Sequence, residues 1–309
     1  MMKTSRTIAL ALSLALSISV SYAQSDAMSF LRVARDPASA GMGFAGAAST
    51  SGTAWSAFRN ASVIPLSEAG TDIGLGWQSW APQGAKSNNI NFGSAFRLGE
   101  RFGLAVGAAY LSGESYSRTD ETGKASGTFT PGEMIVGGGL GFEIIDGLAL
   151  GVNVRYASQK LAKDASYSAV CGDAFVTYRL KSLNISAGVS SLGTSVKGAD
   201  GSSYSLPASA TLGLDWTAGF AEVHAVEIAA DADYFFSGAV GAAAGVQYSF
   251  KDMIFARAGY HYGSEASPLP SFATVGLGVK FAGVQLNAAY LLASEALAGT
   301  LTIGLGYSF

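Results

Sequence analysis

Cysteine is all but missing from this chain. Cys171 alone in 309 residues leaves no internal disulfide and no set of thiolates for a structural metal. Imidazole is nearly as scarce, since His224 and His261 are the only histidines. Charged residues make up only 13% of the sequence and the formal net charge is −3, too mild a balance to argue for nucleic acid as a partner. There is no Pro-rich or low-complexity break to divide the chain. Past residue 23 there is also no run of roughly 20 apolar residues, the length a membrane-spanning helix needs. Yet hydrophobic residues reach 49%, glycine numbers 40 and the mean hydropathy is +0.30. The apolarity is spread through short alternating segments, and strands are the only other way to bury it in a bilayer.

Residues 1–23 read as a leader. Lys3 and Arg6 form a basic start, Ile8 to Val20 is a short apolar run, and Ser21-Tyr22-Ala23 is a small-x-small cleavage site. Cleavage would leave Gln24 first, with no cysteine behind it for a lipid anchor. It would also remove two basic residues, taking the net charge to about −5. Export combined with alternating strands points to a bacterial outer membrane.

The last stretch, Thr300 to Phe309, shows the strand pattern best. Leu301, Ile303, Leu305, Tyr307 and Phe309 alternate with Thr302, Gly304, Gly306 and Ser308, so one face is apolar and the other small or polar. Fourteen such segments follow residue 70, near 70–80, 88–98, 101–111, 132–144, 147–158, 168–180, 182–192, 207–218, 223–236, 239–250, 252–262, 271–281, 283–292 and 300–309. Most are close to the roughly 9–11 residues that a tilted strand needs to cross. Tyr110, Tyr156, Tyr178, Trp216, Tyr234, Tyr248, Tyr260, Tyr290 and Tyr307 fall near segment ends, as interfacial girdles do. The fold expected is all-β, a transmembrane antiparallel barrel of about fourteen strands over residues 70–309, closed because lipid cannot satisfy an open sheet edge.

Links between segments alternate between terse and long, with Ser237-Gly238 the exception, as periplasmic turns and outer loops do. An even strand count puts both termini in the periplasm. Residues 24–69, rich in small side chains, are expected to enter the barrel from that side as a lumenal plug. Among the side chains the alternation turns inward are Arg155, Asp215, Asp231, Asp233, Arg257 and Lys280, with Arg32 and Arg35 of the plug available to pair with the acids.

Phe30-Leu-Arg-Val-Ala-Arg-Asp-Pro37, then Ala40, Gly41, Met42, Gly43 and Gly46, then Asn60-Ala61, ahead of about fourteen strands, resemble the PorV/PorQ family within the FadL-like superfamily of long-chain fatty-acid transporters. The family's asparagine-proline-alanine motif lacks its proline here. The resemblance implies a plug that folds into the lumen and an accessory role in protein export or surface-protein assembly, including type IX secretion. Its partners would be a larger membrane complex or its cargo. The superfamily also implies the rival role, passage of hydrophobic small molecules. Neither role carries over a catalytic residue.

Other chemistry reads weakly. Gly41, Gly43 and Gly46 fit GxGxxG, but no strand precedes them and no acid follows at the right distance, so no cofactor is expected. His261, Ser264 and Glu265 could be drawn as a hydrolytic triad, though residues this close at a strand end rarely reach that geometry. Glu227, Asp231 and Asp233 share a strand face, but alternate residues stand about 7 Å apart, too far for two to share a cation unaided. The expectation is a non-enzymatic barrel with no metal, embedded in lipid and bound to protein partners, with a lipid or hydrophobic ligand as the alternative. Short outer loops and few large apolar lumenal residues, chiefly Phe175 and Phe255, lean away from a fatty-acid site.

Overall fold

The computed structural model describes residues 26–80, 86–119, 122–163, 165–198, 201–293 and 297–309. The leader expected over 1–23, and Gln24, lie outside the described residues.

Alternation of large and small side chains produces strands β1 (Thr71–Trp80), β2 (Ser87–Leu98), β3 (Phe102–Ser112), β6 (Gly132–Ile145), β7 (Leu148–Ala162), β8 (Ala165–Leu180) and β9 (Leu183–Gly193). The second half adds β12 (Ser209–Phe220), β13 (His224–Phe235), β14 (Val240–Phe250), β15 (Ile254–Gly263), β16 (Phe272–Phe281), β17 (Val284–Ala293) and β18 (Leu301–Ser308). These fourteen form one closed barrel, each antiparallel to its neighbours. The seam pairs β1 with β18, from Asp72 opposite Ser308 to Ser79 opposite Leu301. Two small hairpins stand apart from the barrel sheet: β4 (Tyr116–Thr119) with β5 (Ala125–Phe129), and β10 (Val196–Lys197) with β11 (Ser203–Tyr204).

The two faces differ as the pattern dictates. On β7, Leu150, Val152 and Val154 are exposed, whereas Ala149, Asn153 and Arg155 are buried. The nine aromatic residues expected in the girdles are all exposed, and all but Tyr156, which the extension of β7 leaves near mid-strand, lie towards strand ends. An outward apolar band with aromatic flanks is what a lipid environment requires.

One rim carries short turns and the other the longer loops. In the short turn between β14 and β15, Lys251 and Asp252 both have positive φ, 55° and 51°. This is the type I′ conformation whose twist suits a two-residue hairpin. At the long-loop rim the β7–β8 link is shorter than the sequence suggests. The ladder continues through Lys160–Ser166 to Ala162–Ala165, beyond the 147–158 and 168–180 segments expected. The added residues, Gln159-Lys-Leu-Ala162 and Ala165-Ser-Tyr167, mix polar and apolar side chains and do not separate them onto two faces.

Residues 26–69 pass through the barrel. At the long-loop rim Ala27 N donates to Ser205 O at 2.8 Å and Ser237 Oγ donates to Asp26 Oδ2 at 3.2 Å. At the short-turn rim Gly70 N donates to Phe309 O at 2.8 Å. Between them come 3-10 turns at Ser29–Arg32, Thr53–Phe58 and Ala61–Val63, and one short helix, α1 (Pro37–Gly41). Asp36 caps α1, accepting from Ala38 N at 2.9 Å, and Pro37 begins it without losing a needed donor. Within the described residues, then, the two ends of the chain lie at opposite rims. The expectation that the segment enters from the rim of Phe309 is corrected: its first described residues are tied to the long loops, whose backbone groups and hydroxyls they engage.

Small inward residues make room for this path. A Cβ on Gly151 would overlap the backbone of Ser62, and one on Gly259 would overlap Met42 and Gly43. Apolar clusters fill the remaining space: Met28, Phe30 and Leu31 against Ile135, Ala157 and Val196; Ala57, Ala61 and Ile64 against Ala95 and Ala105; Met42 and Ala45 against Ala229 and Ala243.

Candidate functional site

The interior is organised by side chains that seat residues 26–69 on the wall. Asn60 is fully buried. Its Oδ1 accepts from Ser62 N at 2.9 Å and Ser62 Oγ at 2.6 Å, while Nδ2 reaches Ala47 O at 2.8 Å, Thr177 Oγ1 at 3.2 Å and Ser186 Oγ at 3.3 Å. Asn60 thus joins two turns of the segment to β8 and β9, and Ala61 beside it is buried in contact with the wall. Gly41 meets the Gly276 backbone, Met42 fills the space at Gly245 and Gly259, and Gly43 N donates to Thr274 Oγ1 at 2.8 Å. Gly46 N and Ala47 N donate to Asp231 Oδ2 at 2.8 and 2.9 Å. Gly43 has φ +69°, a conformation that glycine takes freely.

The inward charges divide between latching the segment and bracing the wall. Arg32 pairs with Asp233 at 2.8 Å, and Asp233 also accepts from Thr211 Oγ1 at 2.5 Å. Arg155 pairs with Asp173 at 2.5 Å and reaches Phe58 O at 3.3 Å. Asp173 in turn accepts from Ser191 N at 2.7 Å, where β8 and β9 shift register. Arg257 donates to Gln247 Oε1 at 2.5 Å and Asn287 Oδ1 at 2.9 Å, and Glu227 accepts from Ser49 Oγ at 3.1 Å. Asp215 is buried with Oδ2 lacking a partner. Arg179 donates to Leu66 O. Lys280 is not in the deep group. It pairs at 2.7 Å with Asp252 of a short turn, at the rim.

Three spaces lie in series along the axis. At the long-loop rim a cleft of about 580 Å³ is lined by Phe30, Val33, Trp80, Leu111, Tyr116, Pro131, Leu161, Pro268, Leu269, Pro270 and Leu297, with a few polar neighbours. Beneath it a cavity of about 120 Å³ is bounded by Leu31, Val33, Phe44, Trp55 and Phe58 of the segment and by Phe175, Phe235 and Leu269. Val33 and Leu269 border both. At the short-turn rim a polar vestibule of about 1030 Å³ opens, sharing Asp36, Ser39, Trp55 and Arg59 with the middle cavity. Residues 26–69 therefore interrupt the lumen twice.

The triad drawn from sequence does not assemble. The His261 ring stacks on Phe272, centroids 4.8 Å apart, and Nδ1 has no partner. Ser264 Oγ instead accepts from Val240 N at 3.0 Å. The strand acids Glu227, Asp231 and Asp233 engage N–H and O–H donors and Arg32, as described above.

Counting only wall residues, the sequence undercounts the apolar lining. Leu31, Val33, Phe44, Trp55 and Phe58 come from a segment without period, and Leu269 from a loop. The one available signal was large residues standing in a tract of small ones.

No protein-family model matches the chain, and no curated protein matches it by sequence. Solved structures share its fold. The CymD monoaromatic hydrocarbon channel superposes with a TM-score of 0.61 at 16% identity, over 88% of this chain and 97% of that one. The toluene transporter TbuX of Ralstonia pickettii gives 0.60 at 14%, over 88% and 98%. The toluene transporter TodX of Pseudomonas putida gives 0.59 at 15%, over 88% and 97%.

Proposed function

We propose that this chain is an outer-membrane channel for small hydrophobic molecules, taken up at the long-loop rim and released at the short-turn rim. The observation that carries this reading is the series of three spaces, apolar at the loops and polar at the turns, with Val33 and Leu269 between the first two. An apolar solute would gain by leaving water for the cleft, and the narrow steps below it set the rate of passage. Residues 26–69 act as the plug, and the long-loop rim faces outward. The fold shared with channels named for toluene and monoaromatic hydrocarbons supports the same reading over the accessory role.

An accessory role in protein export, with a secretion complex as partner, gains no support. The residues that carried that resemblance, Gly41 to Gly46 and Asn60-Ala61, are occupied in seating the plug.

The test is uptake of radiolabelled toluene by cells carrying the protein in their outer membrane. Leu269→Ala should raise the rate and Leu269→Trp should lower it several-fold. Uptake equal to that of cells lacking the protein would reject the proposal.

A further inference from the structure

The middle cavity has buried donors to spare and no spare acid. Each of its carboxylates is engaged: Asp36 by Ala38 N, Asp231 by Gly46 N and Ala47 N, Asp233 by Arg32 and Thr211. Its guanidinium groups have donors left over. Arg35, 4% exposed, donates from Nη2 to Phe30 O at 2.7 Å and leaves Nη1 without a partner. Arg155, 2% exposed, spends its terminal nitrogens on Asp173 and Phe58 and leaves Nε without one. Among the described residues no carboxylate forms an ion pair with Arg35.

Burial takes the Arg35 guanidinium out of water without removing its proton, which arginine does not give up in proteins. The group is still a cation at neutral pH. A buried cation without a counter-ion is costly to keep; Arg35 is in that position, whereas Arg155 beside it has Asp173.

We propose that this cavity binds the carboxylate of a small organic acid, one aromatic ring or a short aliphatic chain, on Arg35 and Arg155, with its apolar part among Phe44, Phe58 and Phe175. The inference rests on the channel reading and narrows its cargo. Size sets the upper limit: a closed cavity of about 150 Å³ holds a benzene ring, and this one, at about 120 Å³ but open towards the spaces with which it shares Val33, Leu269, Asp36 and Arg59, takes one ring at most and no long acyl chain. Charge sets the preference, because a neutral ring would leave both buried donors unpaired whereas a carboxylate satisfies them.

Benzoate and toluene differ little in shape and wholly in charge. Their binding to the detergent-purified full chain at pH 7, measured by ligand-observed NMR titration, decides the matter. Benzoate should bind at least about tenfold tighter than toluene, the ratio expected when charged hydrogen bonds are gained at a buried site. Arg35→Met should bring the two ligands near parity, and Arg35→Lys should keep most of the preference. Toluene binding as tightly as benzoate would overturn the carboxylate assignment and leave the channel reading standing. Binding of neither ligand would overturn both. A preference untouched by Arg35→Met in a folded barrel would remove Arg35 from the site. Should that variant fail to fold, the wild-type comparison and Arg35→Lys still decide.

Discussion

Asn60 joins two turns of the plug to two strands, so its replacement by alanine removes several buried bonds at once. The Asn60→Ala chain should lose about 1–3 kcal/mol, the penalty for leaving buried donors unsatisfied, read from urea unfolding in lipid vesicles. Gly43→Ala acts differently, through backbone: φ of +69° and a Cβ about to strike the Tyr260 main chain both oppose it. A strained position of this kind costs on the order of 1–3 kcal/mol, and the expected sign of it is faster proteolysis of the plug in the intact barrel. Arg35 should behave in the opposite sense. Its guanidinium is buried with Nη1 unpartnered and no ion pair among the described residues, so the desolvation of its charge works against the fold. Arg35→Met should therefore unfold at the same temperature as wild type, or higher, at pH 7 by circular dichroism.

At the scale of the element, the strands and the plug contrast in how well the sequence revealed them. The β7 residues Leu150, Val152 and Val154 could be assigned to lipid because a strand in a bilayer has only two environments and alternates between them. The plug touches every environment in turn, so Leu31, Phe44 and Trp55 follow no period, and neither their common cavity nor the rim at which Asp26 sits could be read in advance. The outer ends of β7 and β8 escaped notice for a related reason, since their residues do not separate polar from apolar side chains onto two faces. The placing of charges was half legible. Alternation turned Arg155 and Asp233 inward and left Arg32 among the plug cations available to the acids, but that Arg32 takes Asp233 and Arg155 takes Asp173 depends on three-dimensional neighbours. If residues 26–69 obstruct the lumen as the three spaces suggest, wild-type protein should show no steady conductance in planar bilayers. Deletion of residues 26–50 should leave a barrel by circular dichroism and give a conducting one.

For the whole molecule, the hydrocarbon around the barrel sets the rules that water sets elsewhere. Leu277, 67% exposed near the middle of β16, should tolerate phenylalanine, whereas Leu277→Arg should cost about 2–4 kcal/mol in vesicle refolding. The seam between β1 and β18 carries a further consequence, for assembly order. Asp72 and Ser308 are 236 residues apart yet bonded at 2.9 Å, so this pairing closes the longest loop of any strand pairing in the barrel and is the slowest of them to find by chance. Residues 26–69 already run from one rim to the other within it. A wall zipped shut first would have to admit that stretch lengthwise past the inward side chains it packs against. The order expected is the reverse: the sheet curls round the segment as round a mandrel, Gly151 of β7 and Gly259 of β15 register against Ser62 and Met42, and the last strand fastens the sleeve.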